Sequence, residues 1–526
     1  MRWRYRVDEF LRYCFPRLFN RPWNRFHLEV LNRQKLPVEQ RRGRNIFRTC
    51  AAPRGIAKTT LAKGDIVHDI VYGIEQYILV VSAETKLARG IAKHLLRIFQ
   101  DKTSRLSRLY GPFEVAGGVE GFSVSVRGRA SIGIFPRSMS TQIRGANEDG
   151  ARPSRILVDD GEHPKRVKNP DLRAEDWQFL QDDIIKSAPI EGGLILDWNG
   201  TVLHRDAVLA KLLTDAGWRA SFYQAVESWP ERADLWDRCG QIWKDLSLGS
   251  AEIRQDCALA FYRANKTEMD RGAKVLDEHA LPIFRCYEAI WAQGMRSFLR
   301  EYQNQPTSEG ASCFDSTKFK RFRVDRENWI VVDGQRRCKL SDLRISLRLD
   351  PIPGEELSGF GEDGPGAGDY AAIAVVGRDR FGYGYVLQIW RKRCRDSAQL
   401  AALWELAERW SCGAPCKAGI ESNGFQRLLG RSFRTQREER RKAGKYWQVQ
   451  ADDDTSTTDK NDRIASLEIP IDNGWLMFNE AIPQDALTEF DDFPNGDHDD
   501  GADAVEGAWR NSGGAPRTNL LSSEPL

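Results

Sequence analysis

Apolar runs of strand length recur through the first part of the chain. They are Ile46-Phe47-Arg48-Thr49-Cys50, Tyr77-Ile78-Leu79-Val80-Val81, Ser131-Ile132-Gly133-Ile134-Phe135, Arg155-Ile156-Leu157-Val158 and Gly193-Leu194-Ile195-Leu196. Amphipathic segments such as residues 83–99 lie between them. Before the first run, Phe10, Leu11, Cys14, Leu18 and Phe26, Leu28, Leu31 fall at helical spacings. Strand alternating with helix predicts a parallel sheet covered on both faces. From residue 218 to 303 the pattern turns helical and rich in tryptophan, and residues 306–327 are polar and irregular, as a linker would be.

A second α/β unit opens near residue 340 with the alternating run Leu343-Arg344-Ile345-Ser346-Leu347-Arg348-Leu349. A Gly-rich turn (residues 359–368) and the strands Ala371-Ala372-Ile373-Ala374-Val375-Val376 and Tyr383-Gly384-Tyr385-Val386-Leu387-Gln388-Ile389-Trp390 follow. Then come a helix (397–410) and a short strand, Cys416-Lys417-Ala418-Gly419-Ile420. Three strands, a helix and a fourth strand fit a ribonuclease-H-like order. The expected division is 1–305 for the first unit with its helical end, 306–340 for a linker, 341–510 for the second unit, and 511–526 for a Gly/Ser/Pro-rich disordered tail.

Composition narrows the picture little. A length of 526 residues exceeds one ordinary core, and 41% hydrophobic with 29% charged residues describes a globular protein. Apolar runs fall short of a membrane span, and no apolar core follows the basic N-terminus, so neither membrane nor secretion is expected. Ten cysteines without a CxxC pair read as reduced thiols. A net charge of +3 neither demands nor excludes a nucleic-acid partner.

The chemistry concentrates at element ends. Pro53-Arg54-Gly55-Ile56-Ala57-Lys58-Thr59-Thr60 follows a strand and opens a helix, as a phosphate-binding loop does. Lys58 is placed to reach the β- and γ-phosphates of ATP, Thr59 to put its hydroxyl on Mg²⁺, and Arg54 to stabilise charge at the γ-phosphate. Both usual glycines are replaced, by Ala52 and Ala57, leaving Gly55. The strand Arg155-Ile156-Leu157-Val158 ends in Asp159-Asp160-Gly161-Glu162. Asp159 is the expected Mg²⁺-side acid. The acid that orients the attacking water is Asp160 by adjacency or Glu162 by chemistry. Thr201, after a further apolar strand, either senses the γ-phosphate or caps the next helix.

In the second unit Asp350 and Glu421 close two strands, and His498-Asp499-Asp500-Gly501-Ala502-Asp503 opens a helix. Convergent carboxylates at such positions hold two Mg²⁺ or Mn²⁺ ions ~3.5–4 Å apart for phosphodiester cleavage. Helix capping accounts for one of Asp499 and Asp500, but not for the doublet with Asp503 on the same face. Asp369 is a supporting acid or a turn residue. Arg427, Arg431, Arg434, Arg437, Arg440, Arg441, Lys442 and Lys445 form a solvated helix face or a DNA-backbone contact.

Taken in order, these segments resemble the large terminase subunit of tailed bacteriophages. The resemblance also rests on Gln142-Ile143-Arg144-Gly145, Gly200-Thr201-Val202-Leu203-His204-Arg205-Asp206, Ser228-Trp229-Pro230-Glu231-Arg232 and Glu301-Tyr302-Gln303-Asn304-Gln305-Pro306. Gly368-Asp369-Tyr370 and Gly419-Ile420-Glu421-Ser422-Asn423-Gly424-Phe425-Gln426 complete it. It implies a P-loop ATPase that drives double-stranded DNA into a procapsid, joined to an endonuclease. Arg54 matches the family's cis-acting arginine, Asp160 or Glu162 its catalytic acid, and Thr201 its coupling position. Asp350, Glu421 and Asp499 match the nuclease triad, with Asp500 as the alternative third acid. Also implied are a portal protein and a small terminase subunit as partners, and a homo-oligomeric ring on the portal with a monomer when free. The implied location is the host bacterial cytoplasm, transiently the procapsid portal vertex, and not the mature virion. A P-loop helicase or repair ATPase fused to a nuclease is the rival reading, and a non-enzymatic capsid–DNA adaptor a weaker one.

Overall fold

The computed structural model describes residues 3–33, 35–141, 143, 152–306, 312–352, 370–421, 426–454 and 459–514. Helices α1 (Val7–Cys14) and α2 (Arg25–Leu31) lead into an eight-stranded sheet. Its strands are β1 (Ile46–Ala51), β2 (Tyr77–Ser82), β3 (Phe113–Gly118), β4 (Gly121–Val126), β5 (Ile132–Ser138), β6 (Arg155–Asp159), β7 (Ile195–Gly200) and β8 (Arg219–Phe222), in the order β3-β4-β5-β2-β6-β7-β1-β8. From β5 to β8 neighbours run parallel. Helices α3 (Lys58–Tyr72), α4 (Thr85–Gln100), α5 (Arg105–Tyr110), α6 (Pro170–Phe179) and α7 (Val208–Thr214) flank it.

Strand period explains the two-sided cover. Ile78 and Val80 of β2 face one buried cluster, with α3 and α4, while Tyr77, Leu79 and Val81 face another on the opposite side. The five anticipated strands are β1, β2, β5, β6 and β7. The hairpin β3–β4, which pairs antiparallel with β5, gives no such run. It is an edge ribbon rich in Gly and Ser, with only one face of β4 buried.

The helical end comprises α8 (Ala233–Lys244), α9 (Ala251–Met269), α10 (Ile283–Gln293) and α11 (Met295–Glu301), with a small ribbon of β9 (Val226–Ser228) and β10 (Lys274–Val275). Trp236 stacks on Tyr287 there.

The second unit is a nine-stranded sheet. Its strands are β11 (Arg321–Val324), β12 (Trp329–Val332), β13 (Gln335–Lys339), β14 (Arg344–Asp350), β15 (Ala371–Arg378), β16 (Gly384–Lys392), β17 (Cys416–Glu421), β18 (Val449–Asp454) and β19 (Leu476–Asn479). The order is β13-β12-β11-β19-β16-β15-β14-β17-β18. Helices α12 (Asp396–Ser411), α13 (Gln426–Lys442), α14 (Lys460–Ala465), α15 (Glu468–Asp472), α16 (Gln484–Asp492) and α17 (Asp500–Asn511) cover it. Strands β14, β15 and β16 are antiparallel, and β17 and β18 continue parallel to β14. That is the ribonuclease-H-like arrangement.

The expected linker 306–340 needs correction. Residues 321–339 are strands β11–β13, joined to this sheet through β19. The edge strand β13 is exposed along most of its length, whereas β12 is a short buried apolar run that the linker reading passed over. Asp369, the whole Gly-rich turn, and Gln142, Arg144 and Gly145 lie outside the described residues. The two units meet through Trp475, which stacks on Trp243 and donates to the Lys244 carbonyl at 2.8 Å.

Candidate functional sites

The first site is a cleft of about 1360 Å³ over the C-terminal ends of β1, β6 and β7. Gly55, Ala57, Lys58, Thr59 and Thr60 line it, with Asp160, Glu162 and Thr201. Within the loop, Gly55 has φ +86° and Ala57 φ +64°. Gly55 thus takes one left-handed position, and Ala57 occupies another at the cost of Cβ strain. Ala52 is not among the positive-φ residues, so no glycine is required there. Ile56 buries its side chain in the core, and its carbonyl lies 3.0 Å from His27 Nε2. Pro53 contributes a carbonyl, at 3.3 Å from Lys58 Nζ.

Lys58 Nζ also donates to the Ala52 carbonyl at 2.6 Å and to Thr201 Oγ1 at 2.8 Å. Burial pulls its pKa down, against the pull of Asp160 and Asp159. The ammonium is therefore held among neutral oxygens that an anion can replace. Thr59 Oγ1 donates to Asp159 Oδ2 at 2.7 Å. Asp159 Oδ1 is buried without a hydrogen-bond partner among the described residues. Burial first, and then the neighbouring Asp160, push the Asp159 carboxyl up to about 6. An unsatisfied buried acceptor beside a hydroxyl is a hard-oxygen pair that suits Mg²⁺.

The two acids left open by the sequence occupy different settings. Asp160 adopts φ +46° at the strand end and opens onto the cleft. Glu162 is buried, and its oxygens accept from the amides of Val208 (2.7 Å) and Leu209 (3.1 Å), which caps α7. Burial raises its carboxyl to about 7 against those amides. Thr201 does not cap that helix: α7 starts at Val208 with Ala207 at its N-cap. Arg54 extends toward solvent, with its amide bonded to the Glu301 carbonyl at 2.9 Å. Sequence reasoning passed over Arg17, Arg21 and Arg285, which also line the cleft. They lie on elements far from the loop in sequence and carry no motif.

The second site gathers at one end of β14 and β17. Leu349 and Ile420 are in register, so Asp350 and Glu421 are the next residues on adjacent strands. The Glu421 side chain lies outside the described residues, and Asp454 is its register partner on β18. Asp499 is the N-cap residue of α17 but makes no side-chain cap. Asp500 Oδ2 accepts from the Tyr370 amide at 3.0 Å.

Lys460, which no motif marked, stands among these acids. Its Nζ lies 2.8 Å from Asp499, 3.7 Å from Asp500, 3.8 Å from Asp350 and 4.0 Å from Asp503. Burial lowers its pKa, but Asp350 and then Asp499 more than offset that and raise it. Asp503 is also paired with Arg463, both oxygens at 2.9 Å. Among the described residues no three donors close into a cation cage, and the Lys460 ammonium sits among the carboxylates. An all-oxygen donor set of this kind suits Mg²⁺ or Mn²⁺. One signal was available: Lys460 and Arg463 share a face of α14 at i, i+3, opposite an acid-rich helix start. In the basic run, Arg440 pairs with Glu408 and covers Trp404, and Arg441 pairs with Glu438. Arg431 and Arg434 are exposed.

Fold and sites together define a two-domain α/β protein, a phosphate-loop domain followed by a ribonuclease-H-like domain with clustered acids. No family model and no curated protein matches the chain. Among solved structures it is similar to a large terminase from a thermophilic bacteriophage, at 10% identity and a TM-score of 0.41, covering 93% of this chain and 98% of that one. The large terminase of bacteriophage HK97 is 14% identical with a TM-score of 0.35, covering 90% and 89%. The human cytomegalovirus terminase nuclease domain is 12% identical with a TM-score of 0.25, covering 32% of this chain and 84% of that one. At these values function is read from this chain's own residues.

Proposed function

We propose that the chain is a DNA-packaging enzyme of the large-terminase kind, in which ATP hydrolysis in the first domain drives double-stranded DNA and the second domain cuts it. The observation that carries the reading is the pairing of two acid-and-cation sites in one chain. One is Lys58 and Thr59 against Asp159, the other Asp350 and the α17 acids around Lys460.

In the first site Lys58 neutralises phosphate charge, and Thr59 with Asp159 would hold Mg²⁺. Asp160 is the acid that orients water, because it faces the cleft while both oxygens of Glu162 hold α7. Glu162 is a positioning residue. Thr201 reports the state of the phosphate through its bond to Lys58. Arg54 is the cis arginine; it lines the cleft, with Glu301 4.0 Å from its guanidinium. In the second site Asp350, Glu421, Asp499 and Asp500 would hold the two divalent ions, whose chemistry is activation of water and stabilisation of the leaving oxygen. Exposed arginines of α13 supply backbone contacts to DNA. Portal, small subunit and a ring of copies are the partners this reading requires.

The test separates the domains. Lys58→Ala abolishes ATP hydrolysis and leaves metal-dependent plasmid cutting intact, while Asp350→Asn does the reverse. Loss of both activities in each folded variant would refute the division of labour. Duplex separation by the intact chain would favour the helicase alternative.

A further inference from the structure

At the end of β1 opposite the phosphate loop lies a second concavity of about 400 Å³. Arg33, Arg41, Arg44, Arg48 and Arg219 line it, together with Ser221, and among the described residues no acid does. Strand pairing builds it. Arg48 of β1 is in register with Arg219 of the edge strand β8 on one side and with Asp197 of β7 on the other.

The arginines are not all spent on internal partners. Arg41 is balanced by Glu75. Asp197 is shared by three guanidiniums: Arg48 at 2.6 Å, Arg155 at 3.0 Å and Arg33 at 3.7 Å. Behind it Lys35 and Arg155 meet Asp65 and Asp69. That network of Arg33, Lys35, Arg48 and Arg155 against Asp65, Asp69 and Asp197 carries one cation in excess. Arg44 and Arg219 are exposed, have no side-chain ion pair among the described residues, and add two more. A solvated surface arginine needs no partner. Converging guanidiniums around an acid-free hollow, with Asp197 fixing Arg48 by two hydrogen bonds, leave a concentrated positive field and unused donors.

We propose that Arg33, Arg44, Arg48 and Arg219 form a second phosphate-binding pocket, separate from the nucleotide cleft, for the oxygens of a phosphodiester backbone or of a free oligophosphate. Planar guanidinium forks match phosphate oxygens two at a time, and the pocket has room for more than one phosphate group. It is independent of the packaging reading, because it rests on the charge count and the shape of this end of the sheet. A narrow gap lined by Arg33, Arg48, Asp197 and Lys58 adjoins both sites.

The experiment uses the full chain with Arg44→Glu and Arg219→Glu together, and a companion pair Arg44→Lys with Arg219→Lys. Unchanged thermal midpoints establish that each is folded. In one arm, fluorescence anisotropy follows a short DNA duplex at rising NaCl. In the other, calorimetry follows inorganic tripolyphosphate with Lys58→Ala in every protein, which silences the nucleotide cleft. If DNA is the ligand, the glutamate pair binds the duplex at least about tenfold more weakly and the log–log salt slope falls by about 2. If the source is a free oligophosphate, tripolyphosphate binding is lost while duplex binding holds. The lysine pair falls between wild type and the glutamate pair. The proposal is overturned if the glutamate pair matches wild type in both arms, or if the lysine pair does.

Discussion

Replacing Lys460 with methionine removes an ammonium that four carboxylates approach within 2.8–4.0 Å. Arg463 still neutralises Asp503, so what is lost is the ammonium beside Asp350, Asp499 and Asp500. Breaking a fully buried pair costs about 3–5 kcal/mol. Here the lysine side chain is 39% exposed and that of Asp499 30%, so water screens the loss to about 1–3 kcal/mol. In EDTA the variant's second domain is expected to melt roughly 3–10 °C lower. The sign reverses with metal. A divalent ion must displace the ammonium in the wild type but not in the variant. Mg²⁺ or Mn²⁺ therefore raises the variant's midpoint more, and its apparent Kd falls about tenfold for each 1.4 kcal/mol of competition removed. Differential scanning fluorimetry in EDTA and across a metal titration reads both effects. Equal melting in EDTA, or weaker metal binding by the variant, would show that Lys460 does not take the place of a cation.

Three further outcomes follow from the described geometry. Asp160→Asn should lower kcat for ATP by about 100-fold or more with nucleotide affinity retained, whereas Glu162→Gln should mainly lower the melting temperature; steady-state kinetics beside thermal melts distinguish them. Ala57→Gly, which relieves a left-handed alanine, should stabilise the first domain by about 0.5–1 kcal/mol in urea unfolding; destabilisation would contradict the φ of +64°. Glu468, packed where α15 meets Gly294, has its carboxyl raised from 4.5 to about 7 by burial first and then by Asp472, against Arg296 and Arg300. Its folded pKa exceeds its unfolded one, so the stability it contributes is complete below about 4.5 and is lost as pH rises through 7. Glu468→Gln escapes that loss, and its advantage in melting temperature should grow between about pH 5 and pH 8. An advantage independent of pH would contradict the assignment.

How far the sites were legible depends on what fixes each residue. Lys58, Thr59 and Asp159 were readable because the turn, helix start and strand end that place them are each local patterns, and β1, β7 and β6 lie side by side. The choice between Asp160 and Glu162 was not readable. It turns on which carboxylate meets α7, and α7 starts 46 residues after Glu162, at an Ala N-cap that supplies no side-chain acceptor. The same holds for Thr201, whose neighbour proved to be Lys58, 143 residues away. The strands β11–β13 looked like linker because β11 is short and mixed and β13 is an exposed edge strand, so the one buried apolar run among them, β12, stood without an apolar neighbour in sequence.

The acids of the second domain show the converse. Asp350 and Asp499 were found by their element ends, yet what holds them together came from α14, whose short charged sequence looks like a solvated turn of helix. Carboxylates that converge in the absence of a divalent ion need a counter-charge, or repulsion would spread them. Once acids are assigned to one end of a sheet, a cation must be sought among elements that approach that end. Lys460 and Arg463 answer that requirement at i, i+3, and Asp462 on the same helix reaches Lys168 of the first domain at 2.8 Å. An exposed pair of that kind contributes little stability, so the aromatic contact of Trp475 with Trp243 carries more of the joint between domains. The position of α14 against the acids is thus set chiefly by packing within its own domain, where Ile464 is buried in the same apolar cluster as Ala504 and Ala508 of α17.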